Sequence, residues 1–237
     1  MVTSIKPVGD RALVVEFDNE ISEKVNMEVM GMEQKIRECA GVVECVPTYR
    51  SLLVYFDPQR LSYSQEKDLI LSIRMEEHLD EAGKKKILQI PCAYGGSYGE
   101  DLAELSRELG LSEQEIIRLH SERIYRIYMM GFLPGFVYLG GLNEKIWAPR
   151  LQTPRIAIPK GGVGIGGKQT GVYPVESPGG WRLIGRTPID FYDAQRKEPI
   201  LCRAGEYIQF IPITGREFEK IEKDVGAGTW KKEYIME

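Results

Sequence analysis

Between Gly131 and Gly185 the chain places 13 of its 25 glycines and 6 of its 13 prolines. Glycine makes the helical state entropically costly, and proline removes a donor and clashes with the preceding turn. Long helices are therefore excluded there. The β-branched residues between the breakers point instead to a barrel of short strands with long loops. A strand over Ile87 to Ala93 and a Tyr94–Gly99 loop come before this stretch. Two short helices follow the loop, near Asp101 to Leu109 and Glu113 to Ser121. Gly110 stops the first, and Ser112 with Glu115 forms a capping-box signature for the second. Beyond Tyr125 the reading is strands and turns only.

The first third has a different pattern, β-β-α-β-β-α. Ser4 to Val8 and Ala12 to Phe17 read as strands joined at Gly9-Asp10. Ser22 caps a helix to about Cys39, with Val25, Val29, Met32 and Ile36 at helical spacing and Gly41 as the stop. Val42 to Val46 and Leu52 to Phe56 are strands. Ser62 and Gln65 form a second capping-box signature, and Leu69, Ile70, Ile73 and Leu79 mark the buried side of the helix after it. Two helices on one face of a four-stranded sheet make a small α+β domain. The expected division is 1–83 and 84–237, since Glu81-Ala82-Gly83-Lys84 is charged and flexible.

Composition narrows the function. A net charge of −4 and a pI near 5.5 argue against general nucleic-acid or anionic-membrane binding. With no signal-peptide core and no long apolar span, a cytoplasmic protein is expected. Cys39, Cys45, Cys92 and Cys202 show no C-x-x-C pair, which fits a reducing compartment better than a zinc site or disulfides. His78 and His120 are too few for a histidine-rich metal centre.

The run Lys160 to Thr170 offers two false leads. Gly162, Gly164 and Gly167 match the dinucleotide fingerprint, but Gln169-Thr170-Gly171-Val172-Tyr173-Pro174 cannot open the helix that motif needs. The same run spells a phosphate loop as far as Lys168, yet Gln169 stands where a magnesium-binding hydroxyl is required. A glycine-rich strand and hairpin is the preferred reading, with a backbone anion nest left open. His120 follows Ile116 on the apolar stripe of its helix, so spacing favours a core histidine over a catalyst. Arg155, Lys160, Lys168, Gln169, Glu176, Ser177, Arg182 and Arg186 sit on glycine-lined turns. They suit a carboxylate or phosphate, or else are solvated loop charges; the residues alone balance these readings. Phe132 and Phe136 flank the Pro134-Gly135 turn, so at least one should line a pocket or a partner interface.

MGFLPGFVYLGGL, PRLQTPRIAIPKGGVGIGGKQTGVYPVESPGGWRLIGRTP and PCAYGGSYGEDL with LSEQEIIRLHSERIY closely resemble the 5-oxoprolinase B-subunit family, also called the KipI or allophanate hydrolase subunit 1 family. The resemblance implies a cyclophilin-like β-barrel after the small α+β domain. It implies partner subunits C and A, and opening of 5-oxo-L-proline to glutamate with ATP, Mg-bound, as co-substrate; no cofactor intrinsic to this chain and no metal site are implied. Phosphorylating the lactam oxygen would turn a stable amide into an activated imidate open to water. His120, Tyr125, Arg155, Pro159, Lys160, Gln169, Thr170, the Phe132–Pro134–Phe136 turn and the Ser177–Trp181 stretch fall on the family's motifs. Gly162 and Gly166 depart from its usual Ser and Ala. His120, Tyr125 and Lys160 are thus the expected catalytic groups. Arg155, Lys168, Gln169, Thr170 and Arg186 are expected to bind substrate, and Phe132, Pro134, Phe136 and Trp181 to line a pocket or partner surface. Two relatives suggest other functions, a KipI-like inhibitor of a sporulation histidine kinase and a carboxyltransferase-type subunit for urea or allophanate.

Overall fold

Alternation of apolar residues builds the first sheet. In β2 (Ala12–Phe17), Leu13, Val15 and Phe17 share one face and are essentially unexposed, as a side-chain period of two requires. The sheet runs β1-β2-β4-β3, all antiparallel, with β1 at Val2–Val8, β3 at Val42–Pro47 and β4 at Ser51–Phe56. Helix α1 (Glu23–Ile36) starts where the Ser22 side chain accepts the Val25 N–H, and α2 (Tyr63–Ser72) starts at a complete Ser62/Gln65 capping box. Val25, Val29, Met32 and Ile36 of α1 and Ile70 of α2 join the strand residues in one core. Both helices therefore cover the same face. The computed structural model describes residues 2–73 and 85–237, so Leu79 and the expected linker lie outside the described residues. The chain divides into two compact units, residues 1–83 and 84–237.

The second unit closes a sheet on itself. Its strands are β5 (Lys86–Tyr94), β6 (Ile124–Met130), β7 (Val137–Gly140), β8 (Arg155–Ile158), β9 (Gly162–Gly166), β10 (Gln169–Val172), β11 (Ser177–Gly179), β12 (Arg182–Arg186), β13 (Tyr207–Pro212) and β14 (Tyr234–Met236). The order β12-β9-β10-β7-β6-β13-β5 returns to β12 through Gly185↔Tyr94 and Arg186↔Ala93, giving a closed seven-stranded barrel. Closure removes the exposed edges that an open sheet would present. β14 adds to the first half of β5, and β8 pairs with β11 as a separate ribbon. Helices α3 (Leu102–Leu109) and α4 (Glu113–Ser121) sit where the sequence predicts them. Ser112 caps α4 with one bond to the Glu115 N–H, while the Glu115 carboxylate pairs with Arg118.

One expectation is corrected. Beyond Tyr125 the chain also forms helix α5 (Gly215–Gly226) and a 3-10 turn at Glu144–Ile146. The turn is a single 3-10 turn inside the glycine-rich stretch, whereas α5 lies beyond that stretch and opens with a complete Thr214/Glu217 capping box. That signature is local and present in the sequence, and it starts a helix once the glycine-rich stretch has ended.

Candidate functional site

His120 lies inside the barrel with no exposure. Its Nδ1 is 2.8 Å from the Tyr94 hydroxyl and its Nε2 2.9 Å from Thr170 Oγ1. Thr170 also lies 2.9 Å from the Gly164 carbonyl, which can only accept, so the threonine donates there. Its oxygen then accepts from an Nε2–H, and Nδ1 accepts from Tyr94. The ring is neutral, and burial pushes its pKa down to about 3. Tyr125 is equally buried and donates to the His120 carbonyl at 2.7 Å. Proton transfer to a substrate from His120 or Tyr125, and substrate contact by Thr170, therefore meet a geometric obstacle. Every polar side-chain atom of the three is spent inside the core, where the network ties β5, α4, β9 and β10 together.

Arg155 is also engaged. Its Nη1 and Nη2 reach the two carboxylate oxygens of Asp101 at 2.9 and 2.6 Å, and its Nε pairs with Glu100 at 3.2 Å. Asp101 additionally accepts the Leu183 N–H at 2.6 Å. The guanidinium fork is filled, so Arg155 straps the β8–β11 ribbon to the start of α3 rather than standing open for an anion. Asp101 precedes α3 but makes no side-chain cap; its partner Arg155 lies 54 positions away in the chain.

Two expected residues do converge. Gly161 has φ +81, and a Cβ there would sit 2.2 Å from the Thr187 carbonyl, so only glycine allows this approach. Thr187 N–H donates to the Gly161 carbonyl, and Arg186 Nε donates to the Lys160 carbonyl at 2.8 Å. Lys160 and Arg186 are thereby brought to one cleft of about 190 Å³, which Asp190 and Glu222 also line. Lys160 Nζ is 2.6 Å from Asp190 Oδ1. The Arg186 guanidinium lies 5.6 Å from the Phe218 ring centre. Sequence reasoning missed Asp190, which stands in no motif, and Glu222, which belongs to the unpredicted α5.

The remaining expectations scatter. Lys168 lies 4.5 Å over the Trp147 ring, at the tip of the β9–β10 hairpin. Lys160 precedes β9 and Lys168 follows it, so a strand spanning about 13 Å separates them. One small anion cannot meet both. Gln169 is half-buried at the start of β10. Phe136 and Trp181 are core residues of a cluster with Ile158, Tyr173 and Leu183. A Cβ on Gly166 would sit 2.5 Å from the Trp181 indole, which explains the glycine at that position. Phe132 is 60% exposed, in the left-handed region at φ 66, beside the exposed Pro134. Holding a non-glycine residue there costs about 1 kcal/mol or more, which marks the loop as a constrained surface feature.

Comparison with known proteins adds a context. The family model for the carboxyltransferase domain, subdomains C and D, matches residues 3–202. The chain is 39% identical over 235 residues to the B subunit of 5-oxoprolinase from Bacillus subtilis, covering 93% of this chain and 97% of that protein. The protein of the same name from Escherichia coli O157:H7 is 37% identical, with 86% and 94% covered. The solved structure of TTHA0988 superposes with a TM-score of 0.77 at 34% identity and covers 86% of this chain. This chain spans only 41% of that longer one. Among the described residues no helix is long and apolar enough to cross a membrane, and no cluster of His, Cys, Asp and Glu is arranged to hold a metal ion.

Proposed function

The chain belongs to the 5-oxoprolinase B-subunit family, and on that premise we propose that it is one component of an ATP-dependent 5-oxoprolinase, working with subunits C and A. The reaction opens the lactam of 5-oxo-L-proline to glutamate at the expense of ATP, Mg-bound as co-substrate. The observation that carries the assignment of a site is the convergence of Lys160 and Arg186 on one cleft. A lysine ammonium and a guanidinium are suited to hold a carboxylate and to stabilise the negative charge that develops on an activated lactam oxygen. Lys160, paired with Asp190, is the acting cation of the site; His120, Tyr125 and Thr170 position the strands around it from within the core.

The test is reconstitution with the two partner subunits, scored by glutamate formation. The complete set should be active, the lone chain inactive. Lys160→Ala should lower activity by about one hundredfold with the melting temperature unchanged. A fully active Lys160→Ala complex would move the chemistry to the partner subunits. The family match over residues 3–202 favours one second reading, a carboxyltransferase-type subunit for urea or allophanate. Activity requiring a biotin-carrying partner would select it.

A further inference from the structure

The cleft has a charge arrangement and a size that go further than the assignment above. Lys160 is neutralised by Asp190 at 2.6 Å. Arg186 spends only its Nε, on the Lys160 carbonyl, and its guanidinium carbon lies 5.6 Å from the Phe218 ring centre. Among the described residues its Nη1 and Nη2 have no hydrogen-bond or ion-pair partner. Two free NH2 groups on one planar fork match one carboxylate, bidentate. Glu222 also lines the cleft from α5 and sets a second negative charge beside Asp190. The four ionised groups sum to zero, a setting that tolerates a single added negative charge and opposes several. The volume of about 190 Å³ equals that of about six water molecules at bulk density. A five-membered lactam acid fits within that volume, and the charge balance of the lining opposes the several negative charges of a nucleoside triphosphate.

We propose that Arg186 grips the carboxylate of the small lactam acid in this cleft through its two unclaimed Nη groups, and that the nucleotide binds outside it. The identity of the acid rests on the 5-oxoprolinase reading; the preference for a small monoanion rests on the cleft alone. In the reconstituted complex, Arg186→Met should raise KM for 5-oxo-L-proline about tenfold to a hundredfold and leave KM for ATP within about twofold. Arg186→Lys should recover part of the loss, since it keeps the charge without the fork. An unchanged KM for the acid, or a parallel rise for ATP, overturns the proposal. Should Arg186→Met melt early, Arg186→Gln keeps a planar polar end over Phe218 and carries the same expectation. Ligand-observed NMR on the whole chain separates the proposal from the reading beneath it, using 5-oxo-L-proline against neutral pyrrolidin-2-one. A complex that makes no glutamate while the chain binds the acid, not the neutral lactam, through Arg186 sinks the reading and keeps the cleft. Neither activity nor binding sinks both.

Discussion

Glu66 of the small unit and His120 of the barrel are both fully buried, yet they are treated in opposite ways. Both ring nitrogens of His120 have partners, and Phe210 and Tyr125 lie against the ring at centroid distances of 4.7 and 5.5 Å. Among the described residues neither carboxyl oxygen of Glu66 has a hydrogen-bond partner, and burial pushes its pKa up. The thiols of Cys39 and Cys45 feel its charge, and Glu33 and Arg37 act on Cys45 as well. A satisfied polar network in a core selects one arrangement, whereas an orphan carboxyl only costs stability. The contrast places the well-determined chemistry in the barrel, the unit that also holds the cleft.

The largest effect should come from breaking the second unit's part-buried Asp101–Arg155 pair. Asp101→Ala strands Arg155 and the Leu183 N–H together, and should destabilise the second unit by about 3 kcal/mol in urea unfolding. Asp101→Asn keeps an acceptor for Leu183 and should cost less. All three tryptophans, Trp147, Trp181 and Trp230, lie in this unit, so their fluorescence reports its unfolding alone. A loss below about 1 kcal/mol would mean the pair is no stronger than a surface bridge, and the contrast between the units would weaken.

Acid should separate the two units next. His120 has a folded pKa of about 3, below its ordinary value of 6.5, so the folded state resists the proton that the unfolded state accepts. Its contribution is present above pH 6.5 and is lost as pH falls toward 3. Glu66 is shifted upward from 4.5, so its contribution is full below 4.5 and is lost as pH rises through its folded value. Between neutral pH and pH 4.5, tryptophan-monitored stability should therefore fall by at least about 2 kcal/mol, and His120→Gln should flatten that slope. Amide hydrogen exchange in α1 and β2 should slow over the same interval once intrinsic rates are corrected. Parallel acid responses would remove the comparison.

The smallest effect sharpens it from the other side. Glu66→Gln at pH 7 keeps the shape and removes the ionisation, and should stabilise the small unit by about 1 kcal/mol. The same change should erase the unit's gain on acidification. A destabilised Glu66→Gln variant would show that the carboxylate has a partner in solution.

Most elements were legible because their determinants are local. Ser22, the Ser62/Gln65 box and the 3.6-residue spacing of Val25, Val29, Met32 and Ile36 act within a few residues of one another. The glycine-rich hairpin at β9 and β10 was readable for the same reason, since no helix could follow Gln169. Helix α5 was equally local at Thr214 and Glu217, and was missed only because the breaker-rich stretch was extended too far along the chain.

The amino-acid sequence alone thus determined the two fold patterns, the caps and the residue types fit to meet an anion. Tertiary structure alone decided which of them meet. Lys160 and Arg186 are 26 positions apart and come together because β12 pairs with β9 and Gly161 lets its backbone touch Thr187. Arg155 was drawn away by Asp101, 54 positions earlier, and Lys168 was carried to the far end of β9. Caps and periodicity act over one or two turns of chain, so they can be read in order. Convergence depends on barrel closure and strand register, which are set by the whole core at once.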